Sequence, residues 1–240
     1  DAIRKVEKEL PETFKEDLRY SLKQITGFAR KQLDTLQSFE TEMDQLANRY
    51  GDKPELALKH LADLRAKTSN AAEISTALAY RCGLLSGMRK NKEIAGVLSE
   101  LDALAADGSQ RQVKLAAMEL CKLYALDDNE RNKYDSLVAA AFHFIKSTQA
   151  PTLRYWISTM YVEMTSRQGR ARDAMEAAKI ALNVARSNND ARRQSTALRD
   201  LALIEVDFGN KEDALAHIDE AIRLAQSGNA PASELEYMLN

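Results

Sequence analysis

The chain has 240 residues, and its 34 Lys and Arg against 36 Asp and Glu leave a net charge of −2. That balance lacks the basic excess of a nucleic-acid-binding surface, and the longest apolar run, the six residues Leu137 to Phe142, is far shorter than a membrane span requires. With only 9 Gly and 4 Pro, Leu and Ala in abundance and few β-branched residues, the composition predicts helix nearly throughout.

Residues 1–50 form a segment of their own character. Ile3, Val6, Leu10, Phe14, Leu18, Leu22 and Ile25 make one apolar stripe, and Leu36, Phe39, Met43, Leu46 and Tyr50 make a second at heptad spacing. Pro11 followed by Glu12 suits a helix start, and Gly27 suits a break. Two readings fit. One is a helix pair capping the first repeat; the other is a coiled-coil contact that makes a homodimer through this N-terminal segment. The chain opens on Asp1 without an initiator Met and shows no signal peptide. This leans towards a trimmed or exported, periplasmic piece of a larger protein, with the cytoplasm as the other reading.

Residues 51–240 read as one repeat domain. Five helical hairpins are expected: 29–50 with 54–67, 71–88 with 91–106, 110–126 with 130–147, 152–168 with 171–186, and 191–208 with 211–226. A further helix is expected to start at Pro231 and run towards Leu239. The evidence is internal repetition. Gly209-Asn210-Lys211-Glu212-Asp213-Ala214-Leu215 repeats Gly169-Arg170-Ala171-Arg172-Asp173-Ala174-Met175 at an offset of 40 residues, and Asn91-Lys92-Glu93-Ile94-Ala95 repeats Asn210 to Ala214. Gly169 and Gly209 fit the left-handed residue that ends a helix and reverses the chain. Ala174 and Ala214 let the next helix approach closely. A hairpin with an apolar stripe on both members cannot bury both alone, so neighbouring hairpins must stack.

These residues resemble the tetratricopeptide repeat family. Its small-residue positions match Ala174, Ala181, Ala214 and Ala221, its turn glycine matches Gly169 and Gly209, and its first-helix Leu with a small partner matches Leu201-Ala202. Leu198 and Ser158 stand where the family carries Trp, Gln226 and Arg186 where it carries Pro, and Tyr134 where an Ala is expected. The period of 40 exceeds the family's about 34, and the extra residues are expected in the links Ser187–Asp190 and Ser147–Pro151. The longer form is similar to arrays in bacterial regulators and sensory proteins. The resemblance implies an all-α, right-handed superhelical solenoid of antiparallel hairpins. It also implies a concave groove, lined by first helices, that binds a protein or peptide. Its groove positions fall on Tyr80, Arg81 and Leu84; on Glu119 and Leu123; on Trp156, Thr159, Met160 and Glu163; and on Thr196, Arg199, Asp200 and Leu203. Trp156, the only tryptophan, is the expected anchor, and Arg81 and Arg199 are the expected carboxylate holders.

No P-loop, GxGxxG, HExxH, CxxC or GxSxG string occurs. His60, His143 and His217 lie far apart on second helices and read as packed residues rather than metal ligands. Cys82 and Cys121 read as buried small residues on first helices. Arg167, Arg170 and Arg172 read as a solvated cluster at a turn. No cofactor and no catalytic centre are expected. The function expected is a non-catalytic protein-binding scaffold. The alternative is the sensing module of a bacterial signalling protein carrying a diguanylate cyclase or kinase output domain.

Overall fold

A computed structural model describes residues 53–227 apart from 106, 107, 109 and 149, together with 39, 41–43, 45, 46 and 50. The chain divides into two compact units, Asp1–Glu42 and Met43–Asn240. The second unit therefore starts inside the segment that the sequence set apart. Met43 and Leu46 of the heptad stripe are buried, and the Tyr50 ring stacks on His60 at 4.6 Å between centroids. The earlier stripe, Gly27 and the helix expected at Pro231 lie outside the described residues.

The second unit is an all-α solenoid. Its helices are α1 (Pro54–Ala66), α2 (Ala71–Gly87), α3 (Asn91–Ala105), α4 (Arg111–Ala125), α5 (Tyr134–Ile145), α6 (Pro151–Arg167), α7 (Ala171–Ser187), α8 (Ala191–Asp207) and α9 (Lys211–Ser227), and each packs on its chain neighbour. Local chemistry sets the helix starts. Asn70 accepts from the Ala72 N–H at 2.9 Å and Asp190 from the Arg193 N–H at 2.9 Å. Pro54 and Pro151 occupy the first helical turn, where the missing N–H costs nothing.

The turns explain the period. Gly169 and Gly209 have φ of +68° and +78°. Each turn closes with a pair of backbone bonds, Gly169 N–H to Ser166 O and Arg170 N–H to Thr165 O in the first, and Gly209 N–H to Val206 O and Asn210 N–H to Glu205 O in the second. Arg89 (+58°) and Asn189 (+51°) make the same turn without glycine. From α6 onward every helix has 17 residues and every link three, so two helices and two links make the 40-residue repeat. The extra length over the family's unit was expected in Ser187–Asp190, but Ser187 is still helical and only residues 188–190 link. The three additional residues per helix-and-link unit amount to nearly one more helical turn of about 3.6 residues.

The third hairpin departs from this rule. At the place of the left-handed turn the chain forms a 3₁₀ helix, Asp128–Lys133, whose first N–H groups at Asn129 and Glu130 donate to the Asp127 carboxylate at 2.9 and 3.1 Å. α5 consequently starts only at Tyr134, four residues later than the sequence suggested, and has 12 residues.

Small residues hold the stack close. α7 lies between α6 and α8, and Ala174, Ala177, Ala178, Ala181 and Ala185 are at most 1% exposed. Buried polar groups find partners across the helices: Ser195 Oγ donates to Ala221 O at 2.9 Å, and Glu205 meets His217 Nδ1 at 2.7 Å. Lys114 is wholly buried on α4, with its Nζ donating to the Leu104 carbonyl in the last turn of α3.

Candidate functional site

The first helices α2, α4, α6 and α8 carry all the residues proposed from the repeat register, and the structure sorts them into three places. The first is an aromatic contact. α2 touches α6 directly, past the intervening hairpin, and the Tyr80 and Trp156 rings stack at 5.5 Å between centroids and 27° between planes. Both are half-buried, and burial pushes the Tyr80 hydroxyl's pKa above its ordinary value. Trp156, expected as a free anchor, is therefore partnered within the chain. Beside this contact, Gly83 faces the Tyr124 ring so closely that an added Cβ would lie 3.3 Å from Cζ.

The second place is a cavity of about 190 Å³ near the other end of the array. Arg81 lines it with Leu58, Leu61 and Arg65 of α1, and Leu85 and Glu93 lie on the same wall. Arg81 and Arg199, the two expected carboxylate holders, thus line different cavities. Leu84 is half-buried on α2. On α4, Glu119 pairs with Lys122 at 2.7 Å, and Leu123 is buried in the core.

The third place gathers the rest. A groove of about 600 Å³ runs between α6 and α8, lined by Thr159, Met160, Glu163, Thr196, Arg199, Asp200 and Leu203. Val162, Ser166, Arg167, Ile204 and Asp207 complete it; of these, Arg167 was read from the sequence only as part of a solvated cluster, and the other four were not singled out. Helical spacing was the available signal: Ser166 and Arg167 follow Glu163 by three and four residues, and Asp207 follows Leu203 by four. Leu203 is 61% exposed, an apolar side chain presented to solvent.

Charge in the groove is arranged unevenly. Arg199 Nη2 grips the Asp200 carboxylate at 2.8 Å. Burial raises the Asp200 pKa above the carboxylate norm, the Arg199 guanidinium pulls it back, and Glu163 on the facing helix pushes it up again. Arg167 does not simply point to water, since its guanidinium lies 5.5 Å from the Tyr134 ring centroid. Arg170, from the same expected cluster, pairs with Asp173 at 2.5 Å and donates to the Tyr161 hydroxyl at 3.2 Å.

Among the described residues no three His, Cys, Asp or Glu side chains gather as metal ligands. His60, His143 and His217 stand on α1, α5 and α9. Cys82 and Cys121 are buried, as read from the sequence, and their thiols interact. Both are free and fully buried, and the Cys121 pKa is pushed far up by its thiol hydrogen bond to Cys82 first and by burial second.

The family model described as anaphase-promoting complex subunit 5 matches residues 111–199 and, a second time, residues 191–240, together more than half of the chain. The chain belongs to that family. The two matches start at Arg111 and Ala191, the first residues of α4 and α8, so the family unit is in register with the hairpins and the starts lie two periods apart. Both helices that wall the groove fall within the matched residues. The membership carries the helical-repeat resemblance and adds nothing for the long bacterial arrays. No curated protein matches the chain.

Proposed function

We propose that this chain is a non-catalytic repeat scaffold that binds a partner protein through the groove between α6 and α8. The observation that carries this reading is that groove: seven residues chosen by repeat register alone line one open cleft of about 600 Å³ on adjacent first helices, with exposed Leu203 and half-buried Met160 beside charged groups. Apolar anchors ringed by polar groups are how interfaces are built. The family's own description, a subunit of the anaphase-promoting complex, is of a protein that works by assembling with others, and this supports the scaffold reading. The sensing-module alternative gains no comparable support.

The test is peptide phage display on the full chain, with Leu203→Glu as the comparison. Leu203 is largely exposed, so the variant keeps its fold by circular dichroism. Peptides selected on the parent are expected to lose at least tenfold in affinity for Leu203→Glu, and equal binding to both proteins would overturn the groove as the site.

A further inference from the structure

The start of α6 and the end of α7 enclose a small cavity of about 130 Å³ that shares no lining residue with the groove. At about 30 Å³ for each water it has room for about four. It therefore suits one small chemical group, since a drug-sized ligand needs at least about 300 Å³.

Its acceptors and donors are unequally matched. The last carbonyls of α7, those of Asn183, Val184, Ala185 and Arg186, accept in turn from Ser187 Oγ and from the N–H groups of Asn188, Asp190 and Asn189. Thr148, on the opposite wall, donates its hydroxyl to Ile145 O at 3.0 Å. The donors are left over. Arg154 Nε and Asn188 Nδ2 both belong to lining residues, both atoms are buried, and neither has a hydrogen-bond partner. An unmet buried donor is costly, and a charged one more so. No Asp or Glu lines the cavity to offset the charge. Burial lowers the Arg154 pKa, and no carboxylate counters it. The N-terminus of α6 adds partial positive charge at the same wall, because Ala150 caps it without a side-chain bond.

We propose that the α6–α7 cavity is a site for a single carboxylate group, from a partner's Asp or Glu side chain or from a small carboxylic acid, held by the Arg154 guanidinium and the Asn188 amide. One guanidinium balances one carboxylate, and two donors serve its two oxygens. A doubly charged phosphate would leave charge uncompensated.

The test is nuclear magnetic resonance on the isotope-labelled full chain, reading the Arg154 Nε–H and Asn188 side-chain N–H signals. Sodium acetate, a capped Gly-Glu-Gly tripeptide and sodium phosphate are titrated separately at constant ionic strength, which removes general salt effects. Acetate is expected to shift both signals saturably. Arg154 is half-buried and its Nε bonds to nothing, so Arg154→Gln should keep the fold by circular dichroism. In that variant the Asn188 signal should need at least tenfold more acetate for the same shift. Asn188→Asp builds a carboxylate into the cavity and should abolish the acetate response of Arg154 Nε–H. A matching response to the tripeptide supports a partner's side chain as the source; a response to acetate alone supports a free small acid. No saturable shift with either means that water alone fills the cavity, and the site is overturned. Tighter binding of phosphate than of acetate overturns the carboxylate assignment, and an acetate response unchanged in Arg154→Gln overturns the role of Arg154. Leu203→Glu should leave every one of these titrations as it is, so failure here does not touch the groove reading.

Discussion

Removing either ring of the Tyr80–Trp156 stack tests whether α2 and α6 are joined across the third hairpin. Truncating a fully buried Trp costs about 3–5 kcal/mol, and Trp156 is half-buried, so Trp156→Ala should lose about 2 kcal/mol. For a chain of 240 residues that corresponds to a fall of about 4–8 °C in Tm. The pair contributes beyond its buried area: rings 5.5 Å apart fall within the offset-stacking range, for which double-mutant cycles give about 0.5–1.5 kcal/mol. The assay is urea unfolding of the parent, Trp156→Ala, Tyr80→Ala and the double variant, followed by far-ultraviolet circular dichroism because Trp156 is the only tryptophan. A coupling of about 1 kcal/mol is expected. Additive losses, within about 0.3 kcal/mol, would refute the stack and with it the closure of the array across the third hairpin.

Gly209→Ala places a Cβ in open space but at φ +78°, so conformational strain alone should cost about 1 kcal/mol, readable as a shifted urea midpoint. Ala178→Leu forces a larger side chain into the fully buried seam of α7 and should cost about 1–3 kcal/mol by the same measurement. Asp200 gives a pH signature. Its pKa is raised on folding, so between about 3.9 and that higher value the folded state binds more protons than the unfolded. Stability from this group therefore falls as pH rises through the window, and Asp200→Asn should lose that part of the slope in urea midpoints measured across a pH series.

The repeat register was legible because it is local. Gly169 and Gly209 announce their turns, and the fifth hairpin, read as 191–208 and 211–226, is found at Ala191–Asp207 and Lys211–Ser227. Arg89 and Asn189 escaped notice because the left-handed turn was sought through glycine, and the backbone bonds around these two residues hold the same conformation without it. The groove residues were legible for the same reason. Thr159, Met160, Glu163, Thr196, Arg199, Asp200 and Leu203 lie on two first helices one period apart, so one register places them all. Tyr80 facing Trp156 was not legible. That contact joins hairpins two apart, across a third hairpin in which an Asp127-capped 3₁₀ turn replaces the usual link, and no spacing along the chain encodes it. Arg81 was grouped with the groove on register, but it lines a separate cavity beside α1. The closeness of Cys82 and Cys121 likewise follows from how α2 packs on α4, which spacing along the chain does not encode.

The two helices of 17 residues and their three-residue links have a consequence for how such an array changes over generations. A block from Pro151 to Asp190 begins and ends at equivalent joints, so copying or deleting it leaves every surviving joint with its old rotation. A shorter insertion would turn one helix face away from its neighbour and expose the alanine seam. Whole periods are therefore the natural unit of gain and loss in such an array, and the third hairpin, with its shorter α5, does not share that unit.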